Sequence, residues 1–335
     1  MTPETELPDT HRVTVFSLES GRNVLERVCG HLGVEPGAHE ERTFEDGEHK
    51  LRPLESVRGR DVYVVQSLYG DDELSVDDKI VRTLFFAGAV QDAGAERITL
   101  VTPYLSYARK DRRTKLRDPV SLRYLATVIE AVGVDRIVTL DVHNPAAFEN
   151  AFRIPTVHLQ GAPLFVRALR PDLEGEDVVV VSPDAGGVKR AELFRQVLER
   201  QLDRSVELVF IEKFRSEGVV WGGAVVGDVA SRVAVIVDDL VSSGTTLVGA
   251  ATACREGGAT DVYAAATHGV FSSKVNGILN ESDLNRLFVL DTIPQMQADD
   301  TRRHPNVQVL DSAPLLARAI HQLHTNQSLD ALVDV

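Results

Sequence analysis

Short apolar runs alternate along this chain with amphipathic stretches at helical spacing. Val13 to Leu18, Asp61 to Ser67, Arg97 to Thr102 and Arg136 to Asp141 are rich in β-branched residues and read as strands. Between them, Asn23 to Leu32, Val76 to Ala93, and a segment entered at Pro119 and running to Val132 place apolar residues three and four apart, as helices do. Val24, Leu25, Val28 and Leu32 share one side of the first helix, and Ile80, Leu84 and Ala87 line the second. Residues 42 to 50 between them read as a polar loop around Phe44. The second half repeats the pattern. Strands are predicted at Asp177 to Val181, Val206 to Ile211, Val233 to Val237, Asp261 to Thr267 and Leu287 to Leu290, and helices at Val188 to Leu202 and Leu247 to Arg255. Strand and helix in alternation predict an α/β chain of doubly wound, mainly parallel sheets.

Residues 93–107 (AGAERITLVTPYLSY) echo residues 257–271 (GGATDVYAAATHGVF): a small-residue turn, a charge, a strand, then a polar exit with an aromatic. The echo predicts two related domains, residues 12–160 and 161–310, divided near Gly161 and Pro163. A last amphipathic helix within 311–325 is a candidate to pack back on the first domain, and residues 1–11 read as disordered.

The chain has 335 residues and a net charge of -14, which speaks against broad binding of nucleic acid or anionic membrane. No apolar run approaches a membrane span, and the polar, acidic N-terminus resembles no signal peptide, so the cytoplasm is the expected compartment. Two distant cysteines, Cys29 and Cys254, fit neither a disulfide framework nor a zinc site.

Candidate chemistry sits where strands end. After Val233 to Val237 come Asp238 and Asp239, then Ser242, Ser243, Gly244, Thr245 and Thr246 at the start of a helix. Loop hydroxyls, backbone N–H groups and a helix N-terminus form an anion cradle, and the two acids accept hydrogen bonds from sugar hydroxyls. An ordinary helix cap needs only one hydroxyl, and this stretch has four around a glycine. The stretch reads as a site for a phosphorylated sugar. It resembles the ribose-phosphate loop of phosphoribosyltransferases and of ribose-phosphate pyrophosphokinases alike. Arg109, Lys110, Arg112, Arg113, Lys115 and Arg117 crowd the exit of another strand, where Arg and Lys suit phosphate oxygens. Asp141 and His143 share one face at a strand end, and Asp184 lies in a Gly-rich turn. Lys213 and Arg215 also share a face, a geometry that suits charge developing on a transferring phosphoryl group.

Taken in order, FEDGE (44–48), PYLSYARKDRR (103–113), VDRIVTLDVH (134–143), SPDAGGVKRA (182–191), EKFR (212–215) and VDDLVSSGTT (237–246) carry a closer likeness. Over roughly residues 12 to 315 the chain resembles the ribose-phosphate pyrophosphokinase (PRPP synthetase) family. The resemblance implies two phosphoribosyltransferase-like domains, the first on the ATP side and the second on the ribose 5-phosphate side. It implies transfer of the diphosphoryl group of Mg-ATP to C1 of ribose 5-phosphate, giving PRPP and AMP. Phe44, Asp46 and Glu48 would hold the adenosine from a neighbouring subunit of a homo-oligomer built from dimers, a hexamer among them. Arg109, Lys110 and Asp111 would belong to the ATP site, and His143 and Asp184 would contact Mg²⁺. Lys213 and Arg215 would act on the transferring group from a mobile flap. Asp184, Asp238 and Asp239 would meet the ribose, and Ser242, Ser243, Gly244, Thr245 and Thr246 its phosphate. The chain is a divergent member: Lys110 stands where the family commonly has Gln, and Ser242 where it has an acid. Two other readings stay open on sequence: a catalytically silent regulatory paralogue, and the same transfer onto another sugar phosphate.

Overall fold

The computed structural model describes residues 12–216, 219–272, 279, 282–294 and 306–333, with the backbone alone at 213–222, 331 and 333. The reading of residues 1–11 lies outside the described residues. The chain divides into two compact units, Met1–Leu159 with Ala313–Asp334, and Gln160–Ser312.

The first unit begins with β1 (Val13–Phe16), α1 (Arg22–Leu32) and a hairpin of β2 (His39–Thr43) and β3 (His49–Pro53). Then come β4 (Asp61–Val65), α2 (Val76–Asp92), β5 (Arg97–Thr102), α3 (Ser121–Ala131), β6 (Arg136–Leu140), α4 (Pro145–Ala151) and β7 (Thr156–Leu159). The strands pair in parallel in the order β1-β4-β5-β6-β7. One sheet face (Phe16, Val62, Val64, Ile98, Leu100, Ile137) packs against Phe86 and Val90 of α2, Leu122 and Leu125 of α3 and Phe148 of α4. Phe16 and Phe86 meet edge to face at 5.3 Å. Ser75 starts α2 with a capping box: its Oγ accepts from the Asp78 N–H at 3.1 Å, and its own N–H donates to Asp78 Oδ2 at 2.9 Å.

The second unit runs α5 (Ala162–Leu173), β8 (Val178–Ser182), α6 (Val188–Leu202), β9 (Glu207–Ser216), β10 (Val219–Val226), β11 (Val233–Val241), α7 (Thr245–Glu256), β12 (Asp261–Gly269), β13 (Arg286–Leu290) and β14 (Val307–Leu310). Their order is β10-β9-β8-β11-β12-β13-β14, and among these strands as described the β9–β10 pair is antiparallel and the other neighbours are parallel. Both units are therefore α/β with mainly parallel sheets, as the alternation predicts. From β8 the chain steps outward to β9, and from β11 it steps the other way to β12. The sheet thus has its switch point between β8 and β11, where open α/β sheets bind ligands at the carboxyl ends of their strands.

The chain closes in the first unit with α8 (Ala313–His324) and α9 (Asp330–Val333). Helix α8 packs along α1, and its last turn is fixed by His324 Nδ1, 2.9 Å from Asp61 Oδ2. Asp61 also accepts from both Arg97 Nε at 2.9 Å and the Tyr63 hydroxyl at 3.0 Å.

The structure departs from the sequence reading in several places, adding β7, β10, β14, α4 and α5. The polar loop around Phe44 is flanked by paired strands, because β2 and β3 exchange backbone hydrogen bonds in spite of their charged composition. β11 does not end at Val237: β12 keeps pairing with it to Val241, so both acids lie on the strand. β9 likewise runs on to Ser216 against β10, which places Lys213 and Arg215 within a hairpin strand and not at its end.

Candidate active site

At the switch point of the second unit, β8 pairs with β11 only as far as Ile236. The two strands then part, and each leads into a ligand-type loop. On the β8 side, Ser182 Oγ donates to the Asp184 carbonyl at 2.6 Å. Asp184 Oδ1 accepts from the N–H groups of Gly186 at 3.0 Å and Gly187 at 3.1 Å. One of its oxygens thus shapes the turn itself. A Cβ at Gly187 would stand 2.8 Å from Ser182 Oγ, so this close turn needs glycine there.

On the β11 side, Asp238 and Asp239 are successive strand residues, and the Asp239 N–H donates to Asp238 Oδ1 at 2.9 Å. Asp239 is buried and Asp238 partly so. Burial, then the neighbouring Asp239 charge, push the Asp238 carboxyl up to about 7, against the pull of Arg190. Arg190, in the first turn of α6, reaches both acids: Nη1 to Asp238 Oδ1 at 3.1 Å and Nη2 to Asp239 Oδ1 at 3.2 Å. Sequence reasoning gave this arginine no role. The signal available was its position three residues past a Gly-Gly turn that faces an acid pair.

The loop beyond, 242–244, enters α7 through Gly244 at φ 81°, with no side-chain cap on the helix. The ordinary-cap reading of this stretch therefore fails, since the N-cap is a left-handed glycine. Ser243 Oγ instead lies 3.0 Å from Thr245 Oγ1. The segment after β12 braces the loop from outside: Ser272 N–H donates to the Ser242 carbonyl at 3.0 Å, and Val270 N–H to that of Val241 at 2.9 Å. A helix N-terminus with clustered hydroxyls, next to an acid pair, can take an anion and a diol together. Ser242, Ser243, Gly244, Thr245 and Thr246 are thus contiguous with Asp238 and Asp239. The side chains of Lys213 and Arg215 lie outside the described residues.

In the first unit, the basic segment leaves β5 through Pro103. Asp118 closes it into a loop, accepting from Lys110 Nζ at 2.7 Å, Thr114 Oγ1 at 2.7 Å and the N–H groups of Thr114 and Lys115 at 3.0 Å. Lys110, then Thr114, hold the Asp118 carboxyl well below the usual carboxylate range. Arg109, Arg112 and Arg113 are exposed around this loop. Asp111 Oδ2 accepts from Asn144 Nδ2 at 2.6 Å, and Asn144 Oδ1 caps α4 by accepting from the Ala147 N–H at 3.2 Å. This bond ties the basic loop to the segment after β6, where Asp141 sits at φ 39° and His143 is exposed. The strained backbone at Asp141 marks the same strand end.

Phe44, Asp46 and Glu48 sit together in the β2–β3 turn, all exposed. The Phe44 N–H donates to the Glu48 carbonyl at 2.7 Å, and Arg42 lies over the Phe44 ring at 5.0 Å. The hairpin is anchored to α2 through Arg82, which donates to Thr43 Oγ1 at 3.0 Å, and through His49 stacked on Phe85 at 5.4 Å.

Among the described residues, no three His, Cys, Asp or Glu side chains converge as a dedicated metal cage. Asp184, at the second unit's switch point, offers a carboxylate, which suits Mg²⁺ held by one or two carboxylates and completed by phosphates and water.

The N-terminal domain family of ribose phosphate pyrophosphokinase matches residues 13–133, and the phosphoribosyl synthetase-associated domain family matches residues 219–334. The chain is 36% identical over 324 residues to a ribose-phosphate pyrophosphokinase of Caldanaerobacter subterraneus subsp. tengcongensis, covering 96% of this chain and 98% of that one. It is 34% identical over 322 residues to ribose-phosphate pyrophosphokinase 1 of Streptococcus pneumoniae, covering 96% and 97%. Its fold matches the crystal structure of phosphoribosylpyrophosphate synthetase from Mycobacterium smegmatis with a TM-score of 0.84 at 34% identity, over 94% of this chain and 99% of that one. Matched by both domain families and by relatives along almost its whole length, this chain belongs to the ribose-phosphate pyrophosphokinase family of diphosphotransferases.

Proposed function

We propose that the chain transfers the diphosphoryl group of Mg-ATP to the C1 hydroxyl of ribose 5-phosphate, giving PRPP and AMP. The observation that carries this reading is the pairing, at one switch point, of two carboxylates with an uncapped, hydroxyl-rich helix N-terminus. Asp238 and Asp239 accept hydrogen bonds from the ribose hydroxyls. Ser242 to Thr246 and the α7 N-terminus hold the 5-phosphate, so the sugar is fixed at both ends. The C1 hydroxyl oxygen then bonds to the β-phosphorus of ATP as the bond between that phosphorus and the α,β-bridging oxygen breaks. The hydroxyl proton leaves to solvent, and AMP departs. Such a transfer needs positioning and charge neutralisation and no covalent intermediate.

Arg109 and the loop closed by Asp118 bind the ATP phosphates, with Lys110 and Asp111 holding that loop in shape. Lys213 and Arg215 neutralise charge on the group in flight. His143 of the first unit and Asp184 of the second would each offer a donor to Mg²⁺, which would supply positive charge against the phosphates. Phe44, Asp46 and Glu48 reach the adenosine of a neighbouring subunit, which makes the working form a homo-oligomer. No helix among the described residues is long and apolar enough to cross a membrane. The test is AMP release from ATP and Mg²⁺ by purified protein, with ribose 5-phosphate, ribose, or other pentose phosphates as acceptor. Release that needs ribose 5-phosphate and fails with ribose is the expected result. Release with no acceptor requirement, or none with any acceptor, would overturn the proposal.

A further inference from the structure

Two carboxylates on successive residues, one of them 5% exposed and the other 18%, cannot both stay ionised without a counter-charge. The second unit supplies one. Arg190 spans the pair with a single guanidinium, Nη1 at 3.1 Å from Asp238 and Nη2 at 3.2 Å from Asp239. Its own side chain is only 22% exposed, so the fork is held and not waving in solvent. Successive strand residues point to opposite faces, so one cation reaching both must pull the two carboxylates toward a common edge. A planar fork can do this and a point-charge ammonium cannot.

We infer that Arg190 is a positioning residue of the sugar site, holding Asp238 and Asp239 in one arrangement as ready acceptors for a sugar diol. The inference rests on the reading of that acid pair as the ribose contact. Its placement also links the two loops of the switch point. Arg190 is three residues past Gly187, the end of the turn built by Asp184, on the helix that this turn starts, so one side chain links the β8 loop to the β11 acids.

The charged surroundings favour this role. On the β8–α6 side the charged residues of the turn and first helical turn are Asp184, Lys189 and Arg190, and Arg190 reaches the pair. Within β11 they are the acids themselves. On β12, His268 is turned into Thr292, with Nδ1 2.9 Å from its hydroxyl. Helix α7 carries no charged residue before Arg255 in its last turn. Arg190 also opposes the burial that raises the Asp238 carboxyl.

The opposite role is a cation that competes with the sugar for the acids, and the two roles predict opposite signs. The experiment compares full-length wild type, Arg190→Met and Arg190→Lys. It measures ribose 5-phosphate affinity by calorimetry from pH 6 to 9, and KM and kcat for both substrates. For Arg190→Met, ribose 5-phosphate affinity should fall roughly tenfold or more, with the KM for ATP within about twofold. The pH at which half the sugar affinity is lost should move up by about one unit, since a cation that favours ionisation is gone. Arg190→Lys should restore the pH midpoint and only part of the affinity. Unchanged or tighter sugar binding in a folded Arg190→Met protein would overturn the inference, as would an equal loss at every pH. If Arg190→Met does not fold, Arg190→Lys decides: wild-type affinity there would overturn it. A wild-type protein that binds no sugar phosphate would overturn the reading of the site, and this inference with it.

Discussion

Asp238 carries opposing demands. Its carboxyl, pushed up to about 7 by burial and by Asp239, accepts from two sugar hydroxyls most strongly when ionised. The folded value lies above the ordinary carboxylate value of about 4, so the native state holds an extra proton between those two pH values. That contribution to stability is fully present below about pH 4 and is lost as pH rises through 7. The empty protein therefore loses stability over the window in which the site becomes competent. Asp238→Asn should accordingly raise the melting temperature at pH 8 while lowering ribose 5-phosphate affinity at least tenfold; a lower melting temperature at pH 8 would contradict this. Wild-type sugar affinity should in turn fall as pH drops through 7. Lys213→Ala, argued from sequence alone, should cut kcat by about a hundredfold or more and leave sugar affinity nearly intact, because its charge acts on the group in flight. Residues such as these stand out in the sequence because charged types follow directly on apolar runs, although Asp238 and Lys213 both lie within strands. Arg190 and Asp118 do not. An arginine within α6 and an acid eight residues past Lys110 acquire meaning only when the chain folds them onto their partners.

Elements show a similar division. The central strands β1, β4, β5, β6, β8, β11, β12 and β13 follow from apolar runs, and α1, α2, α3, α6 and α7 from helical spacing, whereas the short β7, β10 and β14 and the helices α4 and α5 do not stand out. β2 and β3 escaped the pattern because His39–Thr43 and His49–Pro53 offer almost no apolar face; backbone pairing and the grip of Arg82 define them. β11 hid its last four residues for the opposite reason. Two carboxylates interrupt its apolar run, yet β12 continues the ladder past them. Its turn into α7 depends on Gly244 at φ 81°, so Gly244→Ala should cost about 1 kcal/mol or more in backbone strain and weaken phosphate binding, as calorimetry with ribose 5-phosphate would register. Helix α8 tests a different bond. Burial works to raise the Asp61 carboxyl, but hydrogen bonds from Arg97 and His324 hold it below its ordinary value. A depressed folded value means that this stability is present above about pH 4 and lost as pH falls through the folded value. Asp61→Asn should therefore lower stability at pH 7 by about 3 kcal/mol, with the difference from wild type shrinking in acid, measured by denaturant titration.

For the whole molecule, the internal echo between residues 93–107 and 257–271 is the trace in the sequence that suggests two halves. The number of subunits leaves no such trace in one chain. If Phe44 completes a neighbour's site, Phe44→Ala and Lys213→Ala proteins should each be nearly inactive alone and recover activity once subunits are mixed and exchanged. Mixed subunits without recovery would place both residues in one protomer's site. The central claim concerns which bond of the nucleotide breaks, and phosphorus NMR of the products of ATP, Mg²⁺ and ribose 5-phosphate observes that directly. The account predicts equal amounts of AMP and a sugar with two coupled phosphorus signals at C1 beside its 5-phosphate. ADP with a single new phosphoryl signal on the sugar would contradict it.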